Sequence, residues 1–275
     1  MGLKLLLVAL CVLMIGGSIH FDPRRQRSLL ATRTAGGPQL RLMTWNIGHA
    51  ELDDDSRAHD EDLKAVAETI VTHDPDAIAL QELTGEAQLK ILVGYLHGRY
   101  VGGVARPGNA DRVEAILVKE RGAHLDNVTV GKGFALAATL RLAGRLPEIV
   151  LISAHADAFG AARRRIFTGS VVDWARTRSP EAVVFIAGDF NLEVDSRDQS
   201  HLYTDDLKND SESYSYLLQY FRDMGRDAGD TAINDRRIDY IFGPPEGVAL
   251  RRAQVMRNAA VGHMDHWPLL IEITL

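Results

Sequence analysis

Asp189 and Asn191 stand two residues apart in Gly188-Asp189-Phe190-Asn191-Leu192-Glu193, directly after the apolar run Val183 to Ala187. In extended backbone, residues two apart point the same way, so a carboxylate and a carboxamide leave a buried strand side by side. A carboxylate can take a proton from water and an amide can donate to a developing oxyanion. Those are two tasks that hydrolysis of a phosphate ester needs. Gly, Asp and Asn are also good turn formers, and taken alone the stretch reads as a turn.

The same event recurs along the chain, with an apolar strand ending in a side chain able to bind a metal or a phosphate. It happens at Asn46, Glu82, His155, Asp239, and the pair Asp265 and His266. Singly, each is a cap, a solvated loop residue or a hydrogen-bonded structural histidine. Together they need strands whose ends share one rim.

The elements that must position them are legible in outline. Leu40 to Ile47 alternates as a strand, and Leu63, Val66, Ala67, Ile70 and Val71 fall at helical spacing. Asp74-Pro75 stops that helix, because the residue before a proline is pushed out of the helical region. Ala77 to Leu80 reads as a core strand ending in Gln81 and Glu82. A helix is predicted from Gly85 to about Leu96, then a Gly-rich loop to Ala110 and a strand over Glu114 to Val118. Phe134 to Leu142 and Glu148 to Ser153 pair across Gly144, and a helix from about Ala161 to Thr177 leads to the Val183 strand. Asp195 to Asp210 is polar and loop-like, Tyr214 to Met224 reads as helical, and Arg237 to Phe242, Gly247 to Arg257 and Trp267 to Thr274 are the last strands. Strands outnumber helices and hairpins occur, which predicts an α+β layered domain with two sheets packed face to face.

With 275 residues the chain can bury a large core, and its 46% hydrophobic and 25% charged content is ordinary for a globular protein. A net charge of -6 supplies no global basic field, so contact with nucleic acid would need a local patch. The one cysteine, Cys11, excludes an internal disulfide and a cysteine-built zinc site. Lys4 followed by the uncharged run Leu5 to Ile19 reads as a signal peptide or signal anchor over residues 1–19. Arg24, Arg25 and Arg27 just beyond it suit the cytoplasmic side of a membrane and favour the anchor. Residues 20–39 read as a linker and 40–275 as the catalytic domain. The chain is expected to be secreted or periplasmic, or tethered to a membrane by an uncleaved N-terminus, and to act as a monomer.

The stretches TWNIGHA, IALQEL, LISAHAD, IAGDFNLE, RIDYIF and MDHWPL occur in the order seen in the endonuclease/exonuclease/phosphatase (DNase I-like) superfamily. The chain resembles that superfamily over roughly residues 40 to 275, and GDFNLE with RIDYIF and DHWP is the specific part. The resemblance implies a four-layer α/β/β/α sandwich of two mixed sheets with outer helices and a site at one rim. It also implies a divalent metal, Mg2+ or Mn2+. By resemblance, Glu82 is the principal metal ligand, with Asn46 beside it and Asp265 adding a contact. Asp189 would orient or deprotonate the attacking water, Asn191 and His155 would hold the scissile phosphate, and Asp239 would orient His266. His266 would stabilise charge on the phosphorane or help protonate the leaving oxygen. Three places depart from the pattern, one of them Ser153-Ala154-His155, which keeps the histidine but has a small residue before it. Met264 stands where many relatives carry a serine, and the strand ending at Lys119 lacks the Ser-Arg that often follows it.

The chemistry independently wants these types. Mg2+ prefers a few carboxylate or amide oxygens and keeps several waters, so one glutamate can anchor it. A histidine oriented by a carboxylate gains a fixed tautomer and a raised pKa. The Arg163-Arg164-Arg165 run opens a helix just after His155, where it is either a solvated face or a capture site for substrate phosphate. Asp53, Asp54 and Asp55 read as a solvated acidic loop, and His49 and His263 as neighbours of the site. Trp45 and Trp267 read as core. The expected activity is metal-dependent hydrolysis of phosphodiester bonds in nucleic acid or in a phospholipid such as sphingomyelin. The alternative is a catalytically silent binding module of the same fold, whose signature would be loss of Glu82, Asp189 or His266.

Overall fold

The computed structural model describes residues 39–48, 56–105, 112–119, 124–128, 134–140, 147–194, 204–259 and 264–275. The leader and almost all of the linker, the acidic Asp53 to Asp55 run, His49, His263 and the Gly144 turn lie outside the described residues. Among those described, no helix is long and apolar enough to cross a membrane.

Two six-stranded sheets face one another. The first contains β1 (Gln39–Asn46), β2 (Ala77–Leu83), β3 (Val101–Val104), β4 (Val113–Val118), β11 (Ala249–Val255) and β12 (Leu269–Thr274), in the order β11-β12-β1-β2-β4-β3. The second contains β5 (His124–Val128), β6 (Phe134–Leu140), β7 (Ile149–His155), β8 (Val183–Asp189), β9 (Arg222–Asp223) and β10 (Asp239–Gly243), in the order β5-β6-β7-β8-β10-β9. Helices α1 (Ser56–His73) and α2 (Glu86–Tyr95) follow β1 and β2, while α3 (Ala161–Arg176) and α4 (Leu207–Leu218) follow β7 and β8.

Period-two alternation sorts the side chains into three apolar layers. Leu40, Leu42, Ala79, Ile116, Leu151, Phe185, Ala187, Ile241 and Ile271 fill the space between the sheets. Met43, Trp45, Ile78 and Leu80 point outward from the first sheet and pack with Leu63, Val66, Ile70 and Leu92 of α1 and α2. Val150, Ile152, Ile186 and Tyr240 point outward from the second and pack with Phe167 and Val171 of α3 and Leu217 of α4. This is the four-layer sandwich, helix on sheet on sheet on helix.

Each sheet holds one parallel pair, β1 with β2 and β7 with β8, joined by the crossover helices α1 and α3. In such units the carboxyl ends of the parallel strands are where open α/β sheets present ligand-binding groups. Here those ends carry Asn46, Glu82, His155 and Asp189. Just below them Thr44 donates to Gln81 (3.3 Å) and Gln81 donates to Ser153 (3.0 Å), which in turn donates to the Leu80 carbonyl (3.1 Å). These buried bonds tie β2 of one sheet to β7 of the other directly under the rim.

The structure revises some boundaries. β1 begins at Gln39, a residue assigned to the linker. Val101–Val104, read as part of a Gly-rich loop, is an edge strand on β4. Its two central glycines hid it, since glycine is depleted in strands. The helix expected over Tyr214 to Met224 starts earlier, at Leu207, and ends at Leu218. Asp206 starts it by accepting from the Lys208 and Asn209 backbone N–H groups, a capping signal that lay inside the presumed polar loop. Arg222 and Asp223 then pair with β10 as a short strand rather than continuing the helix.

Candidate active site

On β1, Leu40, Leu42, Thr44 and Asn46 share the inward parity, and so do Ser153 with His155, Ala187 with Asp189 and Asp239 with Ile241 on their strands. The strands therefore deliver Asn46, His155, Asp189 and Asp239 to the open end of the inter-sheet layer. Register completes the placement, with His155 opposite Asp189 and Asp189 opposite Asp239. Gly188 makes the approach possible. Its φ is +148°, and a Cβ there would sit 1.8 Å from the Ala154 carbonyl oxygen, so only glycine lets β8 lie against β7 just before Asp189.

Glu82 breaks the parity rule. Ile78 and Leu80 point outward, and regular extension would send Glu82 out with them. Its backbone instead adopts φ +58°, and the pairing of β2 with β4 slips between Leu80 and Leu83. Such a bulge re-aims one side chain, and here it brings Glu82 Oε1 to 3.5 Å from His155 Nε2. The same oxygen lies 3.2 Å from Arg112 Nη1.

Asp189 is the hub. Its Oδ2 accepts from Asn46 Nδ2 at 3.0 Å, its Oδ1 accepts from the Asn191 backbone N–H at 2.9 Å, and its side chain is nearly fully buried. His155 Nε2 and His266 Nε2 stand 3.7 Å and 3.8 Å from Oδ2. Asn191, at φ +50°, donates its side-chain N–H to the Ala156 carbonyl at 3.2 Å, so the loops after β7 and β8 are joined. Asp265 is half-exposed, with Oδ1 3.8 Å from His266 Nε2. The structure thus brings the whole predicted set to one rim.

His266 Nδ1 lies 2.8 Å from Asp239 Oδ2, and both residues are buried. The Thr231 hydroxyl oxygen accepts the backbone N–H groups of Asp239 (3.0 Å) and Ile238 (3.1 Å) beside this pair. Burial pulls the imidazole pKa down, but the carboxylates of Asp239, Asp189 and Asp265 outweigh it and bring His266 up to about 10. Burial also pushes the Asp239 carboxyl up, against the pull of the imidazolium. One proton serves both groups, and facing three carboxylates it resides on His266. Trp45 is fully buried and fixes the same residue from the other side, its indole N–H donating to the His266 carbonyl at 3.2 Å.

The site has members that the sequence did not point to. Glu114, buried on β4, places Oε1 3.7 Å from His155 Nδ1. The available signal was a single carboxylate inside the apolar run Val113 to Val118. Arg112, facing Glu82, had no signal beyond proximity to that strand. The arginine run resolves differently from the capture reading. Arg163 pairs with Asp157 (2.6 Å), Arg164 with Asp210 (2.8 Å) and Arg165 with Glu212 (2.6 Å), so each has an acidic partner within the fold.

Among the described residues, two arrangements of donors could hold a cation. Ligand atoms of Asp189, Asp239 and His266 lie within 4.8 Å of one another. However, the His266 Nδ1 position is taken by Asp239, and Asp189 already accepts from Asn46 and Asn191, so a cation there would displace bonds that orient the site. Glu82 with Asn46 fits better. Both offer oxygen, as a hard divalent ion prefers; among the described residues Asn46 Oδ1 accepts only the Gly48 N–H, at 3.0 Å, and Glu82 Oε1 stands beside Arg112 and His155.

Comparison with known proteins agrees with this architecture. Residues 43–262 match the model of the Endonuclease/Exonuclease/phosphatase family. No curated protein matches the sequence. A Bacteroides vulgatus endonuclease/exonuclease/phosphatase superposes with a TM-score of 0.70 at 17% identity, covering 86% of this chain and 99% of its own. A humanized D. rerio TDP2 gives 0.67 at 14% identity, covering 86% and 99%. The Bacteroides thetaiotaomicron mannosyl-6-phosphatase gives 0.65 at 21%, covering 86% and 100%.

Proposed function

We propose, from the premise that this chain belongs to the Endonuclease/Exonuclease/phosphatase family, that it is a metal-dependent phosphodiesterase using water as the nucleophile. The family's hydrolysis of phosphoester bonds is the general activity. The finer reading is carried by one observation: Asp189 stands between two histidines, and His266 is held by Asp239 at 2.8 Å. A buried carboxylate and a buried imidazole whose Oδ2 and Nε2 are 3.8 Å apart can serve as base and acid on the same substrate.

In this reading Asn46 and the Asn191 backbone N–H orient the Asp189 carboxylate so that it takes a proton from the attacking water. His266, held by Asp239, presents its Nε2 proton to a phosphoryl oxygen or to the leaving oxygen. His155 and the Asn191 amide donate to the non-bridging oxygens, where charge grows in the transition state. Glu82 and Asn46 would hold the divalent cation, Mg2+ or Mn2+, with Asp265 at its edge. Bound there, the cation would polarise the phosphoryl oxygen and neutralise developing charge.

The test is a panel of bis(p-nitrophenyl) phosphate, p-nitrophenyl phosphate, plasmid DNA, RNA and sphingomyelin, each with EDTA, Mg2+ or Mn2+. Diester cleavage that needs the metal and exceeds monoester cleavage is the expected result. Hydrolysis of no panel member with either metal overturns the reading. Preferential cleavage of the monoester replaces it with a phosphatase.

A further inference from the structure

Arg164 and Asp210 form an ion pair with no solvent exposure of either side chain. Arg164 sits in the first turn of α3, where a positive charge opposes the helix dipole, so it is not there to stabilise its own helix. Its Nε and Nη2 donate to the two oxygens of Asp210, each at 2.8 Å. Nη2 also donates to Thr204 Oγ1 (2.6 Å) and Nη1 to the Asp157 carbonyl (3.0 Å). The Asp210 carboxylate in turn accepts from the Glu193 backbone N–H at 3.4 Å. One buried pair therefore reaches Asp157, two residues beyond His155, and Glu193, two residues beyond Asn191.

The loops so gripped already meet at the site. Ala156 donates its N–H to the Asp189 carbonyl (2.9 Å) and accepts from the Asn191 side chain (3.2 Å). The segment before α4 adds a further tie, since Asp205 accepts the first N–H of α3, from Ala161, at 2.7 Å. Arg163 secures the same loop from outside by its fork on Asp157, whose second task is to accept the Phe159 and Gly160 N–H groups. Buried ion pairs are weak sources of stability, and apolar residues of similar volume often replace them without loss. A pair kept here has its value in direction rather than in energy.

We propose that Arg164 and Asp210 are positioning residues, a buried clamp that holds the His155 loop and the Asp189–Asn191 loop in register with each other. The clamp touches neither substrate nor metal and acts through the backbones of Asp157 and Glu193. Its kinetic consequence rests on the phosphodiesterase reading above, whereas its mechanical consequence does not.

The double variant Arg164→Met/Asp210→Leu keeps the volume and removes both backbone bonds. It is expected to melt within a few degrees of the wild type, with KM unchanged. Its kcat should fall about 100-fold, the effect of misplacing reacting groups by roughly 1 Å. Amide exchange at Ala156 and Asn191 should accelerate about 10-fold while Ile152, in the middle of β7, keeps its rate, which marks a local opening. Wild-type kcat with wild-type exchange at Ala156 and Asn191 overturns the clamp. If the double variant does not fold, Arg164→Lys decides. It keeps the charge but cannot reach Asp210, Thr204 and Asp157 together, so kcat should drop with faster Ala156 exchange, and wild-type values for both overturn the proposal. Should the wild type hydrolyse nothing in the panel, the activity reading falls and the exchange arm still decides the clamp.

Discussion

The two halves of the rim are built on different principles. On one side, Asp189 and Asp239 of the second sheet and His266, in the segment entering β12, are buried, with His266 Nδ1 2.8 Å from Asp239 and Asp189 accepting from Asn46 and the Asn191 N–H. On the other side, Glu82 of the first sheet stands on a bulge, is more exposed, and accepts from the half-exposed Arg112 at 3.2 Å with His155 at 3.5 Å. One half is preorganised to move a proton without rearranging. The other presents a carboxylate whose neighbours, Arg112 and His155, would give way to a metal. On the proposed function, the contrast puts rigidity where charge would develop during the reaction and adaptability where a diffusible ion would bind.

Breaking the rigid half should have the largest effect. Asp189→Asn and His266→Ala should each lower kcat by about 100- to 10,000-fold, the span of general acid–base catalysis, while the metal concentration for half-maximal rate stays put. A shift of the metal curve larger than the loss in kcat would erase the distinction between the halves. Next comes Glu82→Gln, for which about 10- to 100-fold more Mg2+ should be needed to reach half-maximal rate, the usual scale for disturbing a metal site. Titration of rate against Mg2+ checks it, and full activity at low Mg2+ removes Glu82 from the metal.

The pH dependence sharpens the comparison further. His266 holds its proton up to about 10 when folded, against an ordinary value of 6.5, so it adds stability below about pH 6.5 that is lost as pH rises through 10. In Asp239→Asn the strongest carboxylate partner is gone, and the alkaline limb of kcat/KM should move to lower pH. The urea midpoint of metal-free protein should likewise fall at lower pH than in the wild type. Unchanged limbs in a folded variant would separate the two residues. Arg112→Ala should have the smallest effect. Its ion pair is half-exposed and worth about 0.2–1 kcal/mol, so Mg2+ binding should tighten by no more than about 5-fold. A weakened metal curve would show that Arg112 supports the site instead of competing for it.

Much of this was readable in the chain because alternation and strand ends are local. Asn46, His155, Asp189 and Asp239 follow from counting twos along apolar runs, and the two-sheet layering follows from the same count. Glu82 does not, since its aim depends on a bulge that the sequence of β2 does not announce. Glu114 was overlooked because a lone acid in an apolar strand gains its meaning from a histidine on another sheet. The arginine run is a conspicuous local signal whose partners, Asp157, Asp210 and Glu212, are distant in sequence or unremarkable there and are supplied only by the fold. Val101–Val104 escaped because its glycines are tolerated by an edge position on β4, which only the assembled sheet supplies.

The backbone of Glu82 bears on how such a chain changes under selection. A non-glycine residue at φ +58° carries a steric penalty of about 1–2 kcal/mol, which glycine would not incur and asparagine would reduce. Glycine or asparagine at that position should therefore raise the melting temperature while removing the carboxylate. Any descendant released from catalysis gains stability by drifting there first, whereas Asp189 and His266, locked among buried partners, would leave unpaired charges behind if they changed. Glu82 is thus the position at which silent copies of this fold should announce themselves.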